Sequence, residues 1–280
     1  MPHSPDYQNL IPLALKGDMD ALEEILLSVR DQIYNLSLRF LWDPQEAEDA
    51  TQEILVKIML HLNQFEYRAA FSTWTYRIAT NYLIDTRKTL LERSSISFED
   101  VAREIQSVET APEAHGKFDD SFDPKVALKD TAREVQTACT HGMLQCLDRS
   151  NRAAFILGEV FNMHSDEASF ILGISASAYR QRLSRARKRM DGFLNQNCGI
   201  MNPQNPCRCE TRACQLQSSR TLEKYMRRAR TLERSDPQAA EIEGSALSRM
   251  ALIYRSNRSY IPRPVLLDRI KRTLQKNYPF

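Results

Sequence analysis

Apolar residues along this chain recur at helical spacing, and no two stretches alternate as pairing strands would. In "DMDALEEILLSVRDQIYNLSLRFLW", Leu22, Ile25, Leu26, Val29, Ile33, Leu36 and Phe40 follow the i, i+3, i+4, i+7 pattern of an amphipathic helix. "DPQEAEDATQEILVKIMLHL" adds start chemistry. Asp43 can cap, Pro44 suits the first helical position because its missing N–H is not needed there, and Glu46 stands three residues after the cap. Ala47, Thr51, Ile54, Leu55, Ile58 and Leu62 form the inward face of that helix. A further helix is predicted from a Ser72 cap to about Lys88. The stretch "SSISFEDVAREIQSVETAPEAHGKFDDSFDPK" is rich in Ser, Pro and acids and poor in periodicity, and reads as a mobile linker. Helical spacing returns over about Val126 to Leu194, and again in the tail, with a break at "SNRSYIPRP". The expected fold is all-α. Two small helical domains, 1–93 and 126–194, are joined by an acidic flexible linker, 94–125, and followed by a mainly helical extension, 195–280.

Within the second block, "ISASAYRQRLSRARKRM" carries six bases from Arg180 to Arg189, interrupted by apolar positions. On a helical wheel Leu183, Ala186, Met190 and Phe193 fall within about 40° of Tyr179, an inward stripe. The opposite face holds Ser177, Arg180, Gln181, Ser184, Arg185 and Lys188, with no acid before Asp191. A merely solvated face would interleave acids with bases. Upstream, "SDEASFILGIS" gives a short helix and a glycine turn at Gly173. Short helix, turn and basic helix is the helix-turn-helix order, whose second helix enters the DNA major groove. The first four polar residues can reach base edges, whereas Arg187, Lys188 and Arg189 are placed for phosphates.

Charge sharpens this picture through its segregation; the net +2 alone says little. Asp43 to Glu53 holds five acids and no base, and Ser94 to Pro124 carries a local net of −6. Ser175 to Leu194 carries +5 and the tail beyond Cys214 carries +8. Separated blocks of opposite sign imply separate partners. "MPHSPDYQNL" has neither the basic nor the apolar region of a signal peptide, and no apolar run is long enough to span a bilayer. A cytoplasmic location without a membrane span is expected. There, six cysteines are reduced or metal-bound rather than paired.

The first block offers two further surfaces. Asp49, Gln52, Glu53, Val56 and Leu60 share a face of their helix, where acids beside apolar groups suit a basic protein partner. Equally, Val56 and Leu60 fit a core position. In "NQFEYRAAFSTWTYRIATNYLIDTRK", Phe65, Tyr67, Phe71 and Trp74 lie among Arg68, Arg77 and Lys88. Rings beside guanidiniums can stack unpaired bases and hold phosphates. Trp74 and Ile78 are expected in the core, and Phe65, Tyr67 and Arg68 in direct contact.

With these residues in place, the chain resembles the bacterial RNA polymerase sigma factors of the extracytoplasmic-function type over about Leu10 to Leu91 and Val126 to Leu194. "AEDATQEILVKI", "FSTWTYRIATNYLID" and "LGISASAYRQRLSRARKRM" look like that family's polymerase-binding, promoter-melting and recognition helices. The resemblance implies a transcription initiation factor whose partners are core RNA polymerase and promoter DNA, with an anti-sigma protein a further partner. It assigns Asp49, Gln52, Glu53 and Val56 to polymerase. Phe65, Tyr67, Arg68, Phe71, Arg77, Asn81 and Lys88 fall to opening the minus-ten element, and Ser177, Arg180, Gln181, Ser184, Arg185 and Lys188 to reading the minus-35 element. His164 stands where the family often has a capping Ser, which puts the cap at Ser165, and Phe170 replaces a residue usually polar.

The tail carries separate chemistry. Cys198, Cys207, Cys209 and Cys214 could hold zinc or Cu(I), as a structural site or a metal- or redox-responsive switch, although their spacing lacks paired C-x2-C knuckles. Cys139 and Cys146 read as small core residues. The helix "PVLLDRIKRTLQ", with Val265, Leu266, Ile270 and Leu274, could dock on a helical domain and regulate access to polymerase or promoter, or the basic tail could simply add DNA affinity. No nucleotide-binding glycine loop, two-metal carboxylate cluster or Cys/His catalytic pair is present, so no enzyme is expected. The competing reading is a metal-responsive helix-turn-helix regulator that is not a sigma subunit.

Overall fold

The computed structural model describes residues 5–86, 97–109, 124–205, 207–214 and 260–263, together with Arg269 and Arg272. Among the described residues there are ten α-helices and no strand, only an isolated bridge between Cys198 and Cys207.

The first block comprises α1 (Tyr7–Ala14), α2 (Met19–Leu41), α3 (Pro44–Leu60) and α4 (Phe71–Asp85). The apolar stripe of α2 is buried from Leu22 to Phe40, and so are the inward face of α3 from Ala47 to Ile58 and Leu62 just beyond its end. At the corner between them Trp42 adopts a left-handed backbone (φ 52°), uncommon for a bulky residue. Full burial and a ring stacked 3.8 Å from that of His141 hold it there. The Asp43 carboxylate then accepts hydrogen bonds from the amides of Gln45 and Glu46, and Pro44 opens α3 as predicted.

The start of α4 differs from the predicted Ser72 cap. Ala70 occupies the cap position without a side-chain bond, and Phe71 is the first helical residue. Phe71 is buried in the core, which fixes the first turn two residues early. Lys88 lies outside the described residues.

The linker departs further from expectation, because its residues Phe98–Glu109 form α5. Ser97 accepts from the Asp100 amide, while the Asp100 carboxylate accepts from the Ser97 amide and hydroxyl. This reciprocal cap is a sequence signal at the head of an apolar stripe. Phe98 and Ile105 on that stripe are buried, the Phe98 ring 5.2 Å from that of Phe193.

The second block contains α6 (Pro124–Gln145), α7 (Arg149–Phe155) running into a π turn at Ile156–Val160, α8 (Ser165–Leu172) and α9 (Ala176–Asn197); α10 (Cys209–Cys214) follows. The widened turn brings Gly158 under α9. A Cβ there would sit 2.5 Å from the Tyr179 hydroxyl and 2.9 Å from Leu183 Cδ2, so the close approach of the two helices depends on glycine. Gly173, at φ 63°, closes α8 in the left-handed region. Ser165 begins α8 rather than capping it; His164 takes the cap position with no side-chain bond.

The two blocks share one apolar core. Buried Arg152 links them by donating to the carbonyls of Phe40 at the end of α2 and of Leu144, Gln145 and Leu147 at the end of α6. One guanidinium thus gathers carbonyls at two helix ends, sharing that of Phe40 with Gln145 Nε2 and that of Leu144 with the Leu147 amide. Between α4 and α8, Thr73 donates to Glu167 at 2.8 Å, and the Arg77 guanidinium lies 4.9 Å over the Phe170 ring.

Candidate polymerase and promoter interface

The recognition helix α9 is built as its periodicity requires. The Ser175 hydroxyl caps it by accepting from the Ala178 amide at 3.1 Å. Tyr179, Leu183, Ala186, Met190 and Phe193 are all buried. Burial raises the Tyr179 hydroxyl to about 12, so it stays neutral. On the other side Ser177, Arg180, Gln181, Ser184, Arg185 and Lys188 are all exposed, and the first five line one shallow concavity. The structure thus brings the predicted reading residues together. Arg187 is the exception among the bases expected at phosphates. It turns inward to the Glu159 carboxylate, which is only 6% exposed and leaves a buried charge to be compensated. Arg189 is exposed, with its guanidinium 5.5 Å over the Phe98 ring.

The loop before α4 is divided. Tyr67 is 48% exposed and held at φ 58°, with the exposed Arg68 beside it in an ion pair to Glu66 at 3.0 Å. Phe65, expected in direct contact, is instead buried, as is Phe71, the Phe65 ring 4.7 Å from Tyr67, 5.2 Å from Phe71 and 5.4 Å from Trp74. Clustered rings minimise their exposure by packing on one another, so these two shape the loop that carries Tyr67. Trp74 and Ile78 are half-buried against the core, Asn81 is exposed and Arg77 is half-buried.

On α3, Glu53 and Leu60 are exposed while Asp49, Gln52 and Val56 are half-buried. Among the described residues, neither Val56 nor Leu60 joins the core cluster. Spacing does not single out one further acid of this helix. Glu48 is buried and holds Arg263 of the tail through two bonds of 2.6 Å.

Residues 25–90 match the Sigma-70 region 2 family, and residues 137–190 match the Sigma-70, region 4 family. The chain is 29% identical over 194 residues to the RNA polymerase sigma-H factor of Pseudomonas aeruginosa, covering 67% of this chain and 93% of that protein. It is 27% identical over 175 residues to the ECF RNA polymerase sigma factor SigW of Bacillus subtilis, covering 62% and 89%. The ECF RNA polymerase sigma-E factor of Escherichia coli (strain K12) is 26% identical over 188 residues, covering 66% and 92%.

The chain belongs to the extracytoplasmic-function sigma factors.

This sigma factor therefore directs RNA polymerase to promoters. Its region 2 contains the α3 and α4 surfaces just described, and its region 4 contains α9 as far as Met190. The regulator alternative is disfavoured because it leaves region 2 unexplained. Among the described residues no helix is long and apolar enough to cross a membrane.

Cys198, Cys207 and Cys209, which follow both matched regions, line an apolar cavity with Cys139 of α6, which was expected to be only a core residue. Burial pushes the Cys209 thiol up to about 12, and the Cys139 thiol is also raised well above its ordinary value. Among the described residues no group of three or more His, Cys, Asp or Glu is placed to hold a metal ion. The Cys214 side chain and the tail residues Val265, Leu266, Ile270 and Leu274 lie outside the description.

Proposed function

We propose that this sigma factor docks on core RNA polymerase through Asp49, Gln52, Glu53 and Val56 and reads the minus-35 element with Ser177, Arg180, Gln181, Ser184, Arg185 and Lys188. Tyr67 and Arg68 capture an unpaired base of the minus-ten element, Phe65 and Phe71 support that loop, and Arg77, Asn81 and Lys88 hold the opened strand. The observation that carries the reading is the outward face of α9. Six polar or cationic side chains stand exposed on a helix whose opposite stripe is locked into the core. Residues 1–93 and 126–194 act as the two functional modules. The protein works in the cytoplasm as a non-enzymatic subunit, and an anti-sigma protein would act on the same region 2 surface.

Run-off transcription with purified core polymerase tests this directly. The chain should confer initiation at defined sites; a chain that binds duplex DNA yet starts no transcript would return the regulator alternative.

Zinc or Cu(I) at the tail thiols is the second element of the proposal, supported by the convergence of Cys139, Cys198, Cys207 and Cys209 on one cavity. Binding must ionise these thiols and draw them closer, because the thiolate is the ligand. Metal analysis of protein purified without chelator should find about one equivalent per chain, lost on replacing Cys207 and Cys209 with serine. Metal-free protein with unchanged thiol reactivity would remove metal from the account.

A further inference from the structure

Tyr260 and Arg263 lie far downstream of the recognition helix in sequence but are seated against α2 and α3 of region 2. Asn35, buried on α2, uses both ends of its carboxamide on one residue: Nδ2 donates to the Tyr260 carbonyl at 2.9 Å, and Oδ1 accepts from the Tyr260 amide at 2.7 Å. A carboxamide used in this way recognises extended backbone. The Tyr260 ring is 2% exposed and packs with Tyr34, Leu38 and Ala47. Its hydroxyl lies 3.3 Å from His141 Nε2, and the Arg39 guanidinium sits 5.3 Å from the ring centre. Three residues on, Arg263 takes both oxygens of Glu48, whose side chain is 1% exposed. Arg269 then reaches Asp49 at 2.7 Å.

Backbone clamp, aromatic pocket and buried carboxylate form a built site for an extended Tyr-x-x-Arg segment. It adjoins the acidic face of α3 and shares Asp49 with it. We propose that this site is an intramolecular docking surface whose occupant, the segment carrying Tyr260, Arg263 and Arg269, competes with core RNA polymerase for α3. The tail arginines neutralise Glu48 and engage Asp49, so the docked tail withdraws negative charge from the face offered to a basic partner. Polymerase binding then requires the segment to leave, and the apparent affinity falls by the fraction of chains with a free face. The inference rests on α3 being the polymerase-docking helix.

Full-length protein carrying Tyr260→Ala, Arg263→Ala or Arg269→Glu should be titrated with purified core polymerase, with thermal unfolding measured alongside. Arg269→Glu changes a half-exposed pair and leaves the buried seat intact, so it keeps the test valid if the other two variants fold poorly. Release of the segment should tighten core binding, by on the order of tenfold if roughly one chain in ten is open. In the unaltered protein, hydrogen exchange at the Tyr260 amide should accelerate on adding core polymerase, because its bond to Asn35 is lost. Core affinity that is unchanged or weaker in folded variants, or a Tyr260 amide equally protected in the complex, overturns the competition. Glu53→Lys separates this result from failure of the underlying reading. If that variant binds core normally, α3 is not the docking helix; if it loses core binding while Arg269→Glu changes nothing, only the tail inference falls.

Discussion

The outward face of α9 and the acidic face of α3 are both charged surfaces on helices whose other side is core, yet they are held differently. On α9 the reading residues stand exposed, and Arg180, Arg185 and Lys188 form no ion pair with any described carboxylate. On α3 the carboxylates of Glu48 and Asp49 already hold arginines of the same chain. A cationic surface meant for phosphate can be left in water at little cost, because displaced counterions drive the later contact. A buried carboxylate cannot wait in that way, since an unpaired charge out of water is strongly unfavourable. The open face is thus ready for its partner, and the occupied one requires exchange.

The most severe way to break the comparison is to damage the support that both faces share. Arg152→Ala removes four buried guanidinium bonds that tie the end of α2 to the end of α6. It should destabilise the protein by about 3 kcal/mol or more, read as a lowered Tm with both DNA and polymerase binding lost. Gly158→Ala is more selective. The added methyl meets Tyr179 and Leu183, so α9 must shift, at about 1–3 kcal/mol in thermal unfolding and with weaker promoter binding, while core polymerase binding is kept. Arg180→Ala should leave the Tm in place and cost about 1–3 kcal/mol in binding to the minus-35 element, with relaxed preference at one base in a competition assay. Lys188→Ala has the smallest expected effect: uniformly weaker binding and a log–log salt slope reduced by about 1. A sequence-selective loss in that last variant would move Lys188 from phosphate to base contact.

Much of α9 and α3 was legible because a helix repeats its environment. Tyr179, Leu183, Ala186 and Met190 announce their stripe by spacing alone, and Asp43-Pro44 announces a helix start. Asp43 and Ser175 cap as local chemistry dictates. What spacing cannot register is a contact between residues distant in sequence. Glu48 looked like one acid among five, and its burial is compensated by an arginine 215 positions away. Arg187 fits the cationic run equally well whether it faces solvent or Glu159, and only the packing of the π turn decides. Phe65 and Phe71 carried no sign of which aromatics would be buried by the others. The helix at Phe98–Glu109 did have a signal in Ser97 and Asp100, masked by the surrounding acids and prolines.

The lean of α4 on α8, through Thr73, Glu167, Arg77 and Phe170, fixes where the two DNA-facing modules sit while the protein is alone. A chain whose two reading ends rest on each other holds them at one separation, set by these contacts and not by the DNA. A naked promoter should therefore engage the free subunit one element at a time, which footprinting the two elements separately would check.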